Sequence, residues 1–180
     1  DTMAYSASAL SFMLPGFKKP VILTGSMEPI GVPGSDAEGN IEGAFAFLSA
    51  LHERKQQGVS IAFHDRLIHG PRSQKILSHE STAFSSINYP HIGYRNNGII
   101  TMEHTPLLQK NYPVDVSTQN LETSIFLVTL FPGFRSKYLF HLADAGPKAI
   151  VLEALGLGGV PYLGENLLPA IEMCQKRSIP

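Results

Sequence analysis

The sequence has a single cysteine, no tryptophan and almost no net charge. Cys174 alone cannot form an internal disulfide, and it is compatible with a reducing compartment such as the cytoplasm. The formal net charge is −1 without a block of Lys or Arg residues, whereas a protein that binds nucleic-acid phosphates normally carries a basic excess. We therefore expect no nucleic-acid partner. Cys174 lies on an apolar helix stripe and is predicted to be a core residue.

Long hydrophobic runs are missing as well. No apolar stretch approaches the ~20 residues that cross a membrane, and no charged segment leads into an apolar run with a cleavage site, so we expect no membrane partner. The histidines lack the H-x-x-x-H or Cys/His spacing of a metal site. The loop at 156–159 lacks the full G-x-G-x-x-G of a dinucleotide site. Neither a metal nor a cofactor is expected.

What the sequence does contain is an alternation of helical and strand-like patterns. Residues 1–14 place Met3, Ala7, Leu10 and Leu14 on one face of a helix. The short apolar run at 21–24 predicts a buried strand, and the Pro- and Gly-rich segment 26–34 predicts a loop at its carboxyl end. Strand, helix and strand in this order predict an α/β fold with a mostly parallel sheet and helices on both faces, similar to flavodoxin or Rossmann folds.

The second helix follows two residues that suit helix caps, Ser35 and Asp36. Its predicted apolar stripe consists of Ile41, Ala44, Phe45, Leu48 and Leu51. Asp36 is interpreted as a helix cap rather than a catalytic residue. The next strand is predicted at 59–63.

The remaining chain predicts a second, smaller α/β unit. Residues 66–95 are polar with short extended pieces, and 98–101 predict an edge strand. We predict an N-terminal domain at 1–102, an interdomain linker at 103–122 and a second domain at 123–180. Because the first helix has no strand before it and the chain stops where another strand should begin, we expect an internal fragment in which both domains are incomplete.

Several short motifs in the chain resemble bacterial-type L-asparaginases, and in particular the cytoplasmic type I enzymes. The motifs agree in order along almost the whole sequence: Asp1-Thr2-Met3 with Ala7, Leu23-Thr24-Gly25-Ser26-Met27, Ser35-Asp36 with Asn40, Arg66-Leu67 with Gly70, Arg72 with Lys75, Asn88-Tyr89-Pro90, Ile92-Gly93-Tyr94, Pro132-Gly133 and Gly156-Leu157-Gly158.

The resemblance implies an amidohydrolase that converts L-asparagine to L-aspartate and ammonia through a threonine nucleophile. In that family a Lys and an Asp support the nucleophile, and the Asp also holds the α-amino group of the substrate. These residues match Lys75 and Asp1. A backbone group at Ser26 is implied to contact the substrate. The nucleophilic Thr has no match in this chain, so the isolated fragment is predicted to be inactive.

The resemblance also implies a homodimer or homotetramer. Two other functions stay open at this point. One is an asparaginase-like subunit of a glutamyl-tRNA amidotransferase, which should bring a basic surface that this near-neutral chain does not show. The other is a non-catalytic α/β module that binds a small amino acid.

Overall fold

The computed structural model describes residues 2–103 and 121–180. The chain divides into two compact units, Asp1–Gln119 and Asn120–Pro180. The boundary between them falls within the predicted linker, most of which lies outside the described residues, as does Asp1. The three-part domain division stays a prediction.

The first unit contains helices, strands and one 3-10 turn. The helices are α1 (Met3–Met13) and α2 (Ala37–Glu53), the turn is Gly70–Arg72, and the strands are β1 (Pro20–Leu23), β2 (Gly58–Phe63), β3 (Arg66–His69), β4 (Ser73–Lys75), β5 (Phe84–Ser86), β6 (Gly93–Asn96) and β7 (Ile99–Met102). These bounds agree closely with the predicted helix at 1–14 and strands at 21–24, 59–63 and 98–101.

The main sheet has five strands in the order β1-β2-β3-β6-β7. Strands β1 and β2 are parallel, with Val21 opposite Val59. The other three pairings are antiparallel. The α/β class is confirmed, but the sheet is mixed, and the expectation of a mostly parallel sheet was wrong in this respect.

Two tight turns explain the antiparallel pairings. His64 and Asp65 join β2 to β3, and Asn97 and Gly98 join β6 to β7, all with positive φ angles between 46° and 80°. Consecutive positive φ angles match the twist of a two-residue hairpin. A connection this short cannot return the chain to the start of a parallel neighbour, so these strands must run antiparallel.

Helices cover both faces of the sheet, as predicted. Alternation along β2 sends Val59, Ile61 and Phe63 to one face, where they pack with Ala7 of α1. On the other face Ala62 packs with Phe47 and Leu51 of α2, in the arrangement that a period of two produces. Met3, Leu10 and Leu14 pack against the first core, which confirms the predicted stripe of α1.

The buried face of α2 differs from the predicted stripe. Phe47 is 1% exposed, whereas Phe45 is 69% exposed and Ile41 42% exposed. Ala44 and Leu51 do lie on the buried side. Because α2 carries apolar residues on more than one side, the 3.6-residue period alone did not select the face that meets the sheet.

The second unit contains a two-stranded parallel sheet of β8 (Ile125–Thr129) and β9 (Ala149–Glu153) with helices α3 (Ser136–Asp144) and α4 (Leu168–Lys176). Its main core is formed by Val128, Leu130, Phe134 and Leu167. Cys174 is buried in α4, as predicted. None of the helices in the described part of the chain has the length and apolar character needed to cross a membrane.

Candidate functional site

A cleft of about 560 Å³ opens in the first unit beside the carboxyl ends of the parallel strands β1 and β2. Ligands of open α/β sheets bind in this position, because the loops that leave parallel strands diverge there. The cleft is lined by Thr2, Met3, Ser6, Ile22, Leu23, Thr24, Gly25, Ser26, Met27, Phe63, Lys75 and Phe84. The cleft therefore combines hydroxyl groups with apolar side chains.

The loop that follows β1, residues 24–28, is here called the Ser26 loop. At its start Thr24 Oγ1 donates a hydrogen bond of 2.8 Å to the carbonyl oxygen of Ala62, which ties the end of β1 to β2. Ser26 itself is exposed and lines the cleft. The strand end therefore fixes where the Ser26 loop begins.

Asn40 in α2 holds this loop from the side opposite the cleft. Its Nδ2 donates to the carbonyl oxygen of Gly25 at 2.9 Å and to the carboxylate of Asp36 at 2.8 Å. Its Oδ1 accepts from the backbone N–H of His64 at 2.9 Å. Asn40 is 5% exposed, and its amide tolerates burial only because these bonds replace its contacts with water.

The carboxylate of Asp36 holds the other end of the loop. It accepts hydrogen bonds from the backbone N–H of Met27 at 2.9 and 3.1 Å and from that of Glu28 at 3.1 Å. Asp36 is the N-cap residue of α2, as predicted, but its side chain makes no capping bond to the first turn of the helix. Ser35 does provide such a contact, because its Oγ accepts from Ala37 N at 3.1 Å.

These hydrogen bonds also determine the charge of Asp36. Partial burial acts to raise the pKa of its carboxyl group. The hydrogen bonds from Glu28, Met27 and Asn40 act in the opposite direction and prevail, so the pKa lies below its ordinary value. The carboxylate is therefore stabilised in the charged form that accepts these bonds.

Lys75 reaches the cleft from a separate small sheet. Strands β4 and β5 pair antiparallel, with Lys75 opposite Phe84, and residues 73–86 are here called the Lys75 hairpin. Phe84 packs edge-to-face on Phe63 with ring centroids 5.0 Å apart. Both rings are nearly buried and line the cleft, so aromatic packing places the hairpin against the end of β2.

The chain enters the hairpin through a close backbone contact. A Cβ atom added to Gly70 would lie 2.7 Å from the carbonyl oxygen of Val59 and 3.2 Å from the hydroxyl of Ser11. Only glycine fits between β2 and α1 at this distance. Gly70 therefore allows the segment before Lys75 to lie directly on the first core.

His69 precedes this contact and is half-buried, with its ring 5.6 Å from that of Tyr89. Burial lowers the pKa of His69, and the positive charge of Arg72 lowers it further. The imidazole is therefore held in its neutral form more strongly than an exposed histidine would be.

The cleft is chemically simple. Lys75 is the one charged residue among the described residues that line it, and the hydroxyls of Thr2, Ser6 and Thr24 supply the nearby polar groups. A single amine beside hydroxyl groups and partly apolar walls suits proton transfer to or from a small polar molecule. Of the described residues, no three or more His, Cys, Asp or Glu side chains are grouped to hold a metal ion.

The structure brings two of the predicted site residues together. Ser26 and Lys75 line the same cleft, although they come from different elements. Asp1 lies outside the described residues, but Thr2, its neighbour in sequence, lines this cleft. The roles assigned to Asp1, Ser26 and Lys75 stay predictions.

Sequence reasoning did not assign a role to Asn40. The signal available was the spacing of Asp36 and Asn40, because residues four apart lie on the same side of a helix. Two polar residues at this spacing, directly after a loop rich in Pro and Gly, indicate that the helix start supports the loop.

Comparison with known proteins gives the following similarities. The family model described as "Asparaginase, N-terminal" matches residues 1–108. An L-asparaginase of Thermococcus kodakarensis is 39% identical over 171 residues, which cover 95% of this chain and 50% of that protein. L-asparaginase 1 of Escherichia coli K12 is 33% identical, with 89% of this chain and 46% of that protein covered.

A second group of relatives bears a different name. A glutamyl-tRNA(Gln) amidotransferase subunit of Pyrococcus abyssi is 31% identical over 188 residues, covering 99% of this chain and 41% of that protein. Among solved structures, the thermostable L-asparaginase from Thermococcus kodakarensis superimposes with a TM-score of 0.85 at 38% identity, covering all of this chain and 52% of that one. The chain spans about half the length of the curated relatives it matches.

Proposed function

The chain belongs to the asparaginase family, and from this premise we propose that the protein carrying it is an L-asparaginase, an amidohydrolase that converts L-asparagine to L-aspartate and ammonia. The observation that carries the proposal is the shared position of Ser26 and Lys75 in one cleft beside the ends of β1 and β2. Both positions match the family motifs, and the similarity to L-asparaginases covers most of the chain.

In the proposed reaction a threonine hydroxyl attacks the side-chain amide carbon of the substrate. The hydroxyl is a weak nucleophile until a neighbouring base takes its proton, and Lys75 is proposed to serve in that proton transfer. Asp1 would orient Lys75 and hold the substrate's α-amino group, while a backbone group of Ser26 contacts the substrate. The proton taken from the hydroxyl passes to the amide nitrogen, the C–N bond breaks and ammonia leaves. Water then hydrolyses the acyl intermediate, which releases L-aspartate and restores the threonine hydroxyl.

No residue of this chain matches the family's nucleophilic threonine. We therefore propose that the 180-residue chain by itself is not sufficient for turnover, and the assays below use the protein that carries the chain. We further propose a cytoplasmic type I enzyme, supported by the similarity to L-asparaginase 1 of E. coli. A homodimer or homotetramer is proposed as its assembly, without nucleic-acid or membrane partners.

The test is ammonia release from L-asparagine by the purified protein and by the variant Lys75→Met. Loss of the proton-transfer group should lower kcat by about 10²–10⁴-fold. Lys18→Met removes a cation of the same type from an exposed position away from the cleft, and it should retain full activity. Full activity in Lys75→Met would refute the proposed role, and a wild-type protein that releases no ammonia would refute the proposed function.

The amidotransferase alternative rests on the similarity to the archaeal amidotransferase subunits. It is distinguished by supplying glutamyl-tRNA together with an amide donor and measuring amidation of the tRNA-bound residue. Activity that depends on the tRNA would favour this alternative, and hydrolysis of free asparagine without tRNA would favour the asparaginase.

The non-catalytic alternative is distinguished by calorimetry. Binding of L-aspartate that is weakened by Asp1→Ala and Lys75→Ala, in a protein that shows no turnover, would favour an amino-acid-binding module.

A further inference from the structure

Side chains of α2 and its cap hold the peptide groups on both sides of Ser26. The carbonyl group before it, that of Gly25, accepts from Asn40, and the N–H group after it, that of Met27, donates to Asp36. The described part of the chain has no cis peptide bonds, and the N–H and C=O of a trans peptide point in opposite directions. The N–H and C=O of Ser26 are therefore both directed away from Asn40 and Asp36.

The backbone groups of Ser26 have no protein partner among the described residues. The hydrogen bonds of the loop engage the neighbouring groups of Gly25, Met27 and Glu28, and none engages the N–H or C=O of Ser26. Ser26 lines the cleft. One donor and one acceptor are therefore presented together on the side opposite α2.

The burial of Asn40 supports a specific role in this arrangement. Its Nδ2 donates one hydrogen to the carbonyl oxygen of Gly25 and the other to the carboxylate of Asp36. Its Oδ1 accepts from the backbone N–H of His64. An apolar residue at this helical position would satisfy the core without desolvating an amide. The buried amide of Asn40 instead connects α2, the Ser26 loop and the turn after β2.

We propose that Asn40 and Asp36 are positioning residues, which hold the two peptide planes of Ser26 so that its N–H and C=O are oriented for the substrate. This inference rests on the function proposed above, in which Ser26 contacts the substrate through its backbone. Neither side chain lines the cleft, and both act through the loop. Groups held by neighbouring side chains before the substrate arrives do not have to be ordered on binding.

The experiment compares Asn40→Ala and Asp36→Asn with wild-type protein for KM, kcat and hydrogen exchange of the Met27 and Glu28 amides. Asp36→Asn keeps the size of the side chain but places amide hydrogens where the carboxylate accepts. Both variants should raise KM for L-asparagine about tenfold, with a smaller change in kcat, because the loop that binds the substrate is no longer preorganised. The two amides should exchange faster.

The matched control is Asp65→Asn. Asn tolerates the positive φ of 58° at this position, and the change removes a 2.6 Å ion pair with Arg95 that does not involve the Ser26 loop. It should lower the melting temperature while leaving KM and the amide exchange unchanged. A control that raises KM as much as the two variants would show that general destabilisation, not positioning, sets KM.

The two proposals fail in different ways. If wild-type protein does not turn over L-asparagine, the proposed function fails, and hydrogen exchange alone decides whether Asn40 and Asp36 order the loop. If wild-type protein is active but Asp36→Asn folds with unchanged KM and unchanged amide exchange, the positioning role is overturned. Asp36→Asn keeps the test decisive if Asn40→Ala does not fold, because Asp36 is less buried.

Discussion

The Ser26 loop and the Lys75 hairpin line the same cleft, but they are held in place by different interactions. The loop is held by hydrogen bonds from the polar side chains Asn40 and Asp36. The hairpin is held by packing, with Phe84 against Phe63 and with Gly70 close to the backbone of β2. Hydrogen bonds fix direction, whereas close packing fixes position and excludes water.

This difference predicts which changes affect stability and which affect binding. A typical hydrogen bond contributes about 0.5–1.5 kcal/mol to stability, whereas truncating a buried aromatic side chain costs about 3–5 kcal/mol. Changes on the hairpin side should therefore act mainly on the free energy of unfolding. Changes on the loop side should act mainly on the orientation of Ser26.

The largest expected effect is that of Phe84→Ala. The change removes the partner of Phe63 from the first core, so the free energy of unfolding should fall by about 3–5 kcal/mol in urea denaturation. Phe45→Ala removes the same ring from a position that is 69% exposed, and it should cost about 0.5 kcal/mol or less. Equal losses in the two variants would contradict the packing account of the hairpin.

A smaller loss is expected for Gly70→Ala. The added methyl group meets the Val59 carbonyl at 2.7 Å, and backbone atoms cannot rotate away as a flexible side chain can. The strands must shift, and the free energy of unfolding should fall by about 1–3 kcal/mol.

The control for this change is Gly39→Ala in α2. Its nearest atom, Nη2 of Arg95, lies 3.8 Å from the added Cβ, which is an ordinary contact. Alanine favours the helix over glycine, so this variant should be neutral or more stable by up to about 1 kcal/mol. If Gly70→Ala unfolds at the same urea concentration as Gly39→Ala, the close contact at Gly70 does not limit the fold.

The same contrast explains how much could be predicted from the sequence. The strand at 21–24 and the stripe of α1 were predicted correctly because period and composition are local properties. The face of α2 was not, because Phe45 and Phe47 are both apolar and only the position of the sheet selects between them. The hairpin at Asn97 and Gly98 was missed, although Asn-Gly is a strong turn signal.

Within the candidate site, sequence motifs indicated Ser26 and Lys75 but not what holds them. Asp36 has the sequence of a helix cap, and its carboxylate turns instead to Met27 because the loop returns close to the start of α2. Such a contact depends on the path of the chain between residues 28 and 35, which no local pattern specifies. Tertiary contacts of this kind are the part that a single sequence does not reveal.

The smallest expected effects concern pH, and they distinguish the two sides of the cleft. The pKa of Asp36 is lowered in the folded protein, so its stabilising contribution is present above its unfolded value of 3.8 and is lost as the pH falls through the folded value. The pKa of His69 is also lowered, from 6.5. Because the unfolded chain then takes up a proton first, His69 makes folding less favourable as the pH falls below about 6.5.

Urea denaturation between pH 7 and pH 3 measures both contributions. His69→Gln should reduce the fall of the free energy of unfolding that begins near pH 6.5, by at most about 1.4 kcal/mol per pH unit. Asp36→Asn should lower the free energy of unfolding at pH 7, and it should remove the further fall that wild-type protein shows below about pH 4. Part of the upper slope should remain in His69→Gln, because the pKa of His91 is lowered as well, by burial and by Arg66. If His69→Gln instead changes the pH dependence of the free energy of unfolding only below pH 4, His69 is not a cause of the fall that begins near pH 6.5.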